Sequence, residues 1–449
     1  MSRKAGAPLA VLLLLFALGI FLSSHMGLAA GFAGSGLAPQ PIHMANFPVP
    51  PITIDGWVST TNTSAIRTHA WELWAGINYT APGQQWPVWE TWYSDTDVKE
   101  GPPPKNLKLT QRAKPAHQFI RLRQFKHLAL KRGLQAAIDP NEQVVGFNKF
   151  NLDYSEFVWQ NNYENPQSLG NLNQWPAQTP ATARHIENFP YRATGLKPVF
   201  MVVNGPNHSA GITVMPYWKG DLTTGPNNSS NPQNPTPGTW NQCVIVKTGS
   251  SQPPSGAKCK DGSTPPVIGV NMFYNFVLSA QEAQAIQQAQ NLPAQAGDYA
   301  VLVAMHMTTR ENANWTWQTF WWNYGQPFPY GPPPKTIPAP FNNYAMCTAY
   351  SMTVQNDPTQ PNTLCYNPYL ETSPGIPDGI HSDCMSCHHT AGFGVNPVAN
   401  YPASYLPTSY IEVGFANDNN LYFSCQTTTD FSWFLANVAQ PPKTAPGCP

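Results

Sequence analysis

The sequence predicts a mixed, β-rich α+β fold with long Pro-rich loops. Three observations lead there. Apolar runs rich in Val, Ile and aromatic residues recur at 198–203, 211–215, 243–247 and 298–308, the pattern of buried strands. Convincing helical periodicity is confined to a few short segments. Proline accounts for 48 of 449 residues, a density that breaks long helices and leaves extended connections.

The composition narrows the classes further. Twenty-four Lys and Arg balance 24 Asp and Glu, so the formal net charge is zero, which argues against a nucleic-acid binder with its strongly basic domain. Charged residues make up 11% and aromatic residues 12%, with 15 Trp. Disordered chains have the opposite composition, few aromatics and high net charge. An aromatic core under a neutral polar surface fits both figures.

The N-terminus begins with Arg3 and Lys4, runs apolar over residues 9–22, and continues into the small residues Gly27, Ala29, Ala30 and Ala33. This reads as a secretory signal peptide over residues 1–30, cleaved near Ala29 to Ala33. The apolar run is shorter than the ~20 residues of a spanning helix, and no later stretch approaches that length. The expected location is periplasmic or otherwise exported, with no transmembrane segment in the mature chain. An uncleaved anchor is the alternative.

Residues 31–65 read as an extended lead-in. Apolar residues at 70, 71, 74 and 77 then predict a short amphipathic helix over 68–78, followed by Trp86, Trp89 and Trp92. Residues 101–138 contain nine cations and no acid: Lys105, Lys108, Arg112, Lys114, Arg121, Arg123, Lys126, Lys131 and Arg132. That cluster reads as a docking patch near Lys105 to Arg132 for an acidic redox partner or anionic lipid head groups, or as a solvated face neutralised elsewhere in the fold. The strands at 198–203 and 211–215 flank a turn-forming Asn-Gly-Pro-Asn. Ser279 is the expected N-cap of a helix over 280–290. Residues 66–340 thus form a scaffold domain, and residues 341–449 a C-terminal region of mostly helix and loop packed on it.

Eight cysteines lie in the second half: Cys243, Cys259, Cys347, Cys365, Cys384, Cys387, Cys425 and Cys448. Export permits disulfides. Sequential pairing gives Cys243–Cys259, Cys347–Cys365 and Cys425–Cys448, one of 15 connectivities open to six cysteines. Cys384 and Cys387 are left over.

Those two belong to Cys384-Met385-Ser386-Cys387-His388, the C-x-x-C-H pattern of c-type haem attachment. Two thiols three positions apart on a helical turn reach the two vinyl groups of one haem, and the next residue brings an imidazole to the iron. The predicted cofactor is therefore one covalently bound haem c, with Cys384 and Cys387 as attachment residues and His388 as iron ligand. A redox C-x-x-C pair, a zinc site and a chance disulfide are the alternatives. Flanking glycines rather than a βαβ unit speak against the first, and the lack of a second ligand pair beyond His381 and His389 against the second.

No Met follows His388 and no His follows His389, so any distal protein ligand comes from upstream. His306 is the chosen candidate. It lies in the strand over 298–308, and strand alternation sends it to one face and its neighbours Met305 and Met307 to the other. Met305 or Met307, or an open or water-filled site, are the alternatives, and a core histidine satisfied by a carbonyl is the structural one. Trp315, Trp317, Phe320, Trp321 and Trp322 follow directly, either as a dry wall around the haem or as ordinary core.

On these stretches the chain resembles a family of exported bacterial monohaem cytochrome c proteins with one haem motif near the C-terminus. The matching segments are residues 70–74 and 88–92, 302–306 with 315–320, and 384–388. The resemblance implies a covalent haem and export; the family's activity is unassigned, so no substrate follows. Low charge and the extra cysteine pairs set this chain apart. Two functions lead: one-electron transfer between periplasmic partners, or a haem enzyme or small-ligand sensor with an open distal site; a structural or substrate-binding protein that carries a haem is the third reading. The length favours asking about the second, since a carrier needs only about 100 residues.

Overall fold

The fold is described from a computed structural model. It describes residues 37–104, 115, 117–120, 143–172, 184–219, 237–325, 327–351, 353–354, 357–361, 365, 367–370, 384–389, 391–394 and 426–440. The signal-peptide segment, Cys425 and Cys448, and nearly all of the basic stretch lie outside these residues.

Eight helices occur among the described residues: α1 (Pro51–Ser59), α2 (Thr63–Ile77), α3 (Asp95–Glu100), α4 (Leu152–Gln160), α5 (Pro166–Asn171), α6 (Ala280–Gln290), α7 (Cys384–His389) and α8 (Trp433–Val438). None is long and apolar enough to cross a membrane. The strands up to the middle of the chain are β1 (Tyr93–Ser94), β2 (Val145–Gly146), β3 (Lys149–Phe150), β4 (Arg184–His185), β5 (Thr194–Val203), β6 (Ile212–Pro216), β7 (Cys243–Lys247), β8 (Val267–Gly269) and β9 (Asn275–Val277). They continue with β10 (Tyr299–Thr309), β11 (Thr316–Trp322), β12 (Tyr344–Thr348), β13 (Thr353–Val354), β14 (Asp357–Pro361), β15 (Gly392–Gly394) and β16 (Gln426–Thr428). The mixed, β-rich α+β class holds.

The main sheet runs β1-β3-β5-β10-β11-β12, with β2 also on β5 and β9 also on β10. Every pair in it is antiparallel. β10 lies at its centre because its run of Ala, Val, Leu and Met is buried on both faces. The register between β10 and β5 shifts between Leu302 and Ala304, next to the pairing of Met305 with Pro198. Proline has no N–H for the ladder, and a bulge beside it accommodates the missing bond. Two three-stranded sheets, β6-β7-β8 and β15-β16-β4, and the β13-β14 pair complete the strands.

One face of the main sheet packs against α2. Asn62 caps that helix by accepting from the Ala65 N–H, and Ile66, Ala70, Leu73, Trp74 and Ile77 form its buried stripe. Trp74 stacks on Phe320 of β11 with ring centroids 4.1 Å apart, and its Nε1 donates to the Phe341 carbonyl. α6 starts at Ser279 with a reciprocal capping box to Glu282, as the sequence predicts.

Two expectations change. Residues 51–59 are helical, not extended: Pro51 sits at the first helical position, where a missing N–H costs nothing. The boundary at 340 divides the main sheet, because β12 pairs with β11 from Gln318–Thr348 to Trp322–Tyr344. The described residues form one compact unit. The disulfides Cys243–Cys259 and Cys347–Cys365 are formed, and the second ties β12 to residue 365.

Candidate haem-attachment site

The motif Cys384–His388 folds as α7, so i, i+3 spacing brings both cysteine positions to one side of a helical turn. Cys384 is half-buried. Met385 is fully buried and anchors the turn on the protein. The side chain of Cys387 lies outside the described set.

His388 is held from two sides. Its ring lies 4.3 Å from Trp317 of β11, centroid to centroid, and its Nδ1 lies 2.9 Å from the carbonyl oxygen of Phe431. A carbonyl only accepts, so Nδ1 carries the proton and donates. Burial pushes the imidazole pKa down to about 3, the Phe431 carbonyl opposes this, and His306 and Lys197 push it lower again. The ring is therefore neutral at ordinary pH, with its lone pair on Nε2. A neutral imidazole whose other nitrogen donates to a backbone carbonyl is the usual state of a metal-ligating histidine.

The sheet brings His306 to the same place. His306 pairs with Thr319 of β11 and Lys197 of β5, and Thr308 pairs with Trp317. Alternation puts His306, Thr308, Trp317, Thr319 and Lys197 on one face. His388 touches Trp317 on that face and lies close enough to His306 and Lys197 for their charges to act on it. Met305 and Met307 occupy the opposite face: Met305 pairs with Phe320, which stacks on Trp74. Both methionines are buried within that core.

The tryptophan-rich run is accordingly split rather than being all wall or all core. Trp317 and Trp321 share the His306 face. Trp322 packs on Phe273 with centroids 4.3 Å apart, and Phe320 on Trp74. The Trp321 Nε1 is buried without a hydrogen-bond partner, a donor with capacity for a polar group on the His306 face.

The described residues are compatible with a c-type haem: α7 carries both attachment positions, His388 is a neutral imidazole with its lone pair on Nε2, and His306 lies on the sheet face that His388 contacts. Among the described residues, which do not include the Cys387 side chain or His381, no group of three or more His, Cys, Asp or Glu side chains is placed to hold a metal ion.

Sequence reasoning missed several supporting residues. The carbonyl of Phe431 comes from a turn about forty positions after the motif. Asp430 in that turn accepts from Arg310 Nε at 3.0 Å and from the Phe189 N–H at 2.9 Å. Lys197 carries no local signal and is legible only once β5 is paired with β10.

A second buried cluster occupies residues 90, 117 and 282. His117, the described core of the basic stretch, places Nδ1 2.7 Å from Glu282 and Nε2 3.1 Å from Glu90. Tyr274 donates to Glu90 at 2.9 Å, and the buried Lys149 ammonium donates to the Trp92 carbonyl at 2.9 Å. Burial lowers the His117 pKa, yet the charge and hydrogen bonds of Glu90 and Glu282 outweigh it and hold the group raised. The cluster sets the His117 imidazole between two carboxyl groups that favour its protonated form.

No protein-family model matches the chain, and neither curated proteins nor solved structures give a match.

Proposed function

We propose that this chain is an exported c-type monohaem cytochrome that transfers single electrons between periplasmic partners. The observation that carries the reading is His388, a half-buried neutral imidazole inside C-x-x-C-H that donates Nδ1–H to the Phe431 carbonyl and packs on the His306 side of the sheet. Cys384 and Cys387 would form the thioethers, His388 would be the proximal iron ligand and His306 the distal one. The haem supplies a one-electron couple at its iron. Trp317 packs against His388 and excludes water from it, and the buried Trp321 N–H on the same face would be a hydrogen-bond donor toward a bound group. The Lys197 ammonium on the same face favours the state with the lower positive charge. Export rests on the N-terminal charge and apolar pattern, with the two disulfides compatible with it. Lys105 to Arg132 would dock an acidic partner.

The second reading, a haem enzyme or ligand sensor with an open distal position, differs in one measurable respect. Reduced protein is mixed with carbon monoxide and oxidised protein with cyanide. A low-spin spectrum that ignores both ligands supports electron transfer through a His388–His306 pair. Ready binding removes His306 as ligand and transfers the case to the enzyme or sensor.

A further inference from the structure

The most unusual backbone in the described residues near His388 is the turn Asp430–Phe431, where two consecutive non-glycine residues take left-handed φ values of 45° and 67°. Asp tolerates this region, but Phe has no local means of doing so. Such a turn persists only where surrounding contacts determine it. Its product is the orientation of one group, the Phe431 carbonyl on His388 Nδ1.

Contacts from three segments determine it. The Asp430 carboxylate takes the Arg310 Nε–H and the Phe189 N–H. Both side chains of the Arg310–Asp430 pair are only 4% exposed. Arg310 is itself fixed: its backbone N–H donates to the Ala193 carbonyl at 2.9 Å and its guanidinium to the Asn312 carbonyl. The Thr429 N–H donates to the Ala391 carbonyl at 3.0 Å, which clips the turn to the segment that follows α7, and the Thr429 hydroxyl donates to the Ser432 carbonyl at 2.7 Å, which closes the turn on itself. Arg310 directly follows β10 and lies four residues beyond His306.

We infer that the Arg310–Asp430 ion pair is a positioning device for His388: it holds the left-handed turn whose Phe431 carbonyl fixes the ring, and it ties that ring to the strand that bears His306. The inference rests on the proposed haem ligation for its redox consequence, and on the geometry alone for the position of the ring. A firm Nδ1–H···O=C bond gives the imidazole more anionic character, strengthens its donation to the oxidised iron and lowers the potential. Loosening the turn therefore raises the potential.

The test compares the intact protein with D430N, R310K and D298N. D430N is nearly isosteric and removes the charge; R310K keeps the charge but loses the planar fork. Asp298 is a buried carboxylate that accepts from His208 and from the Gly205 N–H, outside this site, and D298N controls for general destabilisation. The readouts are solvent exchange of His388 Nδ1–H by NMR, the midpoint potential, and thermal unfolding. D430N is expected to accelerate the exchange by about tenfold or more, as loss of a buried hydrogen bond does, and to raise the potential. R310K is expected to fall between D430N and wild type, and D298N to leave both readouts at wild type while lowering the melting temperature. Wild-type exchange in D430N overturns the inference, as does equal acceleration in D298N. If D430N does not fold, R310K decides by the same criterion. A wild-type protein without covalent haem refutes the proposed function, and the exchange comparison on that haem-free chain still decides the positioning role.

Discussion

His388 and Trp317 meet ring to ring at 4.3 Å, a contact between a six-residue helix near the C-terminus and the second strand of a hairpin some seventy positions earlier. Through that contact the C-x-x-C-H helix lies over the face of the sheet that carries His306. The relation of the two histidines thus depends on the β10–β11 register and not on any local motif.

The first prediction concerns His306. In His306→Ala, the ferric spectrum is expected to pass from essentially all low-spin to predominantly high-spin, and carbon monoxide then binds the reduced form. The visible spectrum of the purified variant checks this. A spectrum equal to wild type removes His306 from the coordination sphere and leaves it a histidine of the sheet face.

A second prediction follows from the buried His117 cluster. His117 bonds 2.7 Å to Glu282, whose pKa falls to about 2: burial raises it, and the bonds from His117 and Ser279 lower it more. A depressed carboxylate stabilises above its ordinary value of 4.5 and loses that contribution as pH falls toward about 2. E282Q is therefore expected to cost on the order of 2 kcal/mol at neutral pH and progressively less below pH ~4.5. His117 has the opposite sign. Its raised value gives stability that is complete below its ordinary pKa and is lost as pH rises through the folded one. Urea unfolding as a function of pH separates the two limbs; a pH-independent penalty in E282Q would falsify the ionic description.

The third prediction addresses β12. The Cys347–Cys365 disulfide closes a separation of 18 residues and fastens the edge strand of the main sheet. A C347S/C365S double variant is expected to lose about 2–4 kcal/mol of stability. Cys347 pairs with Thr319, which accepts from Asn367 at 2.7 Å on the His306 face. Its loss is therefore also expected to loosen the haem environment and broaden the Soret band. Denaturant unfolding together with the visible spectrum tests both; unchanged stability would contradict the coupling.

Much of this was legible in the sequence because it is local. The β10 run and its alternation place His306 opposite to Met305 and Met307, Ser279 marks the start of α6, and the Cys243–Cys259 and Cys347–Cys365 pairs follow chain order. The misjudged parts have physical reasons. Pro51 reads as a breaker in isolation but occupies a helix start. The Pro-rich connection over 327–340 reads as a boundary, although it only returns the chain to the same sheet at Tyr344. The Asp430–Phe431 turn contains no glycine to advertise its positive φ. The Glu90–His117–Glu282 cluster joins three distant segments by burial and charge, and no window of sequence contains it.

The most direct measurement is made on the full chain, expressed with its N-terminal segment in a host that attaches c-type haem. Intact mass spectrometry, with the pyridine haemochrome spectrum of the same sample, compares wild type with C384S, C387S and H388A. The account predicts one covalent haem per wild-type chain with a c-type haemochrome. It predicts loss of stable attachment in C384S and C387S, and an altered axial spectrum in H388A. A wild-type chain that carries the mass of the polypeptide alone after export through a haem-attaching pathway would contradict it.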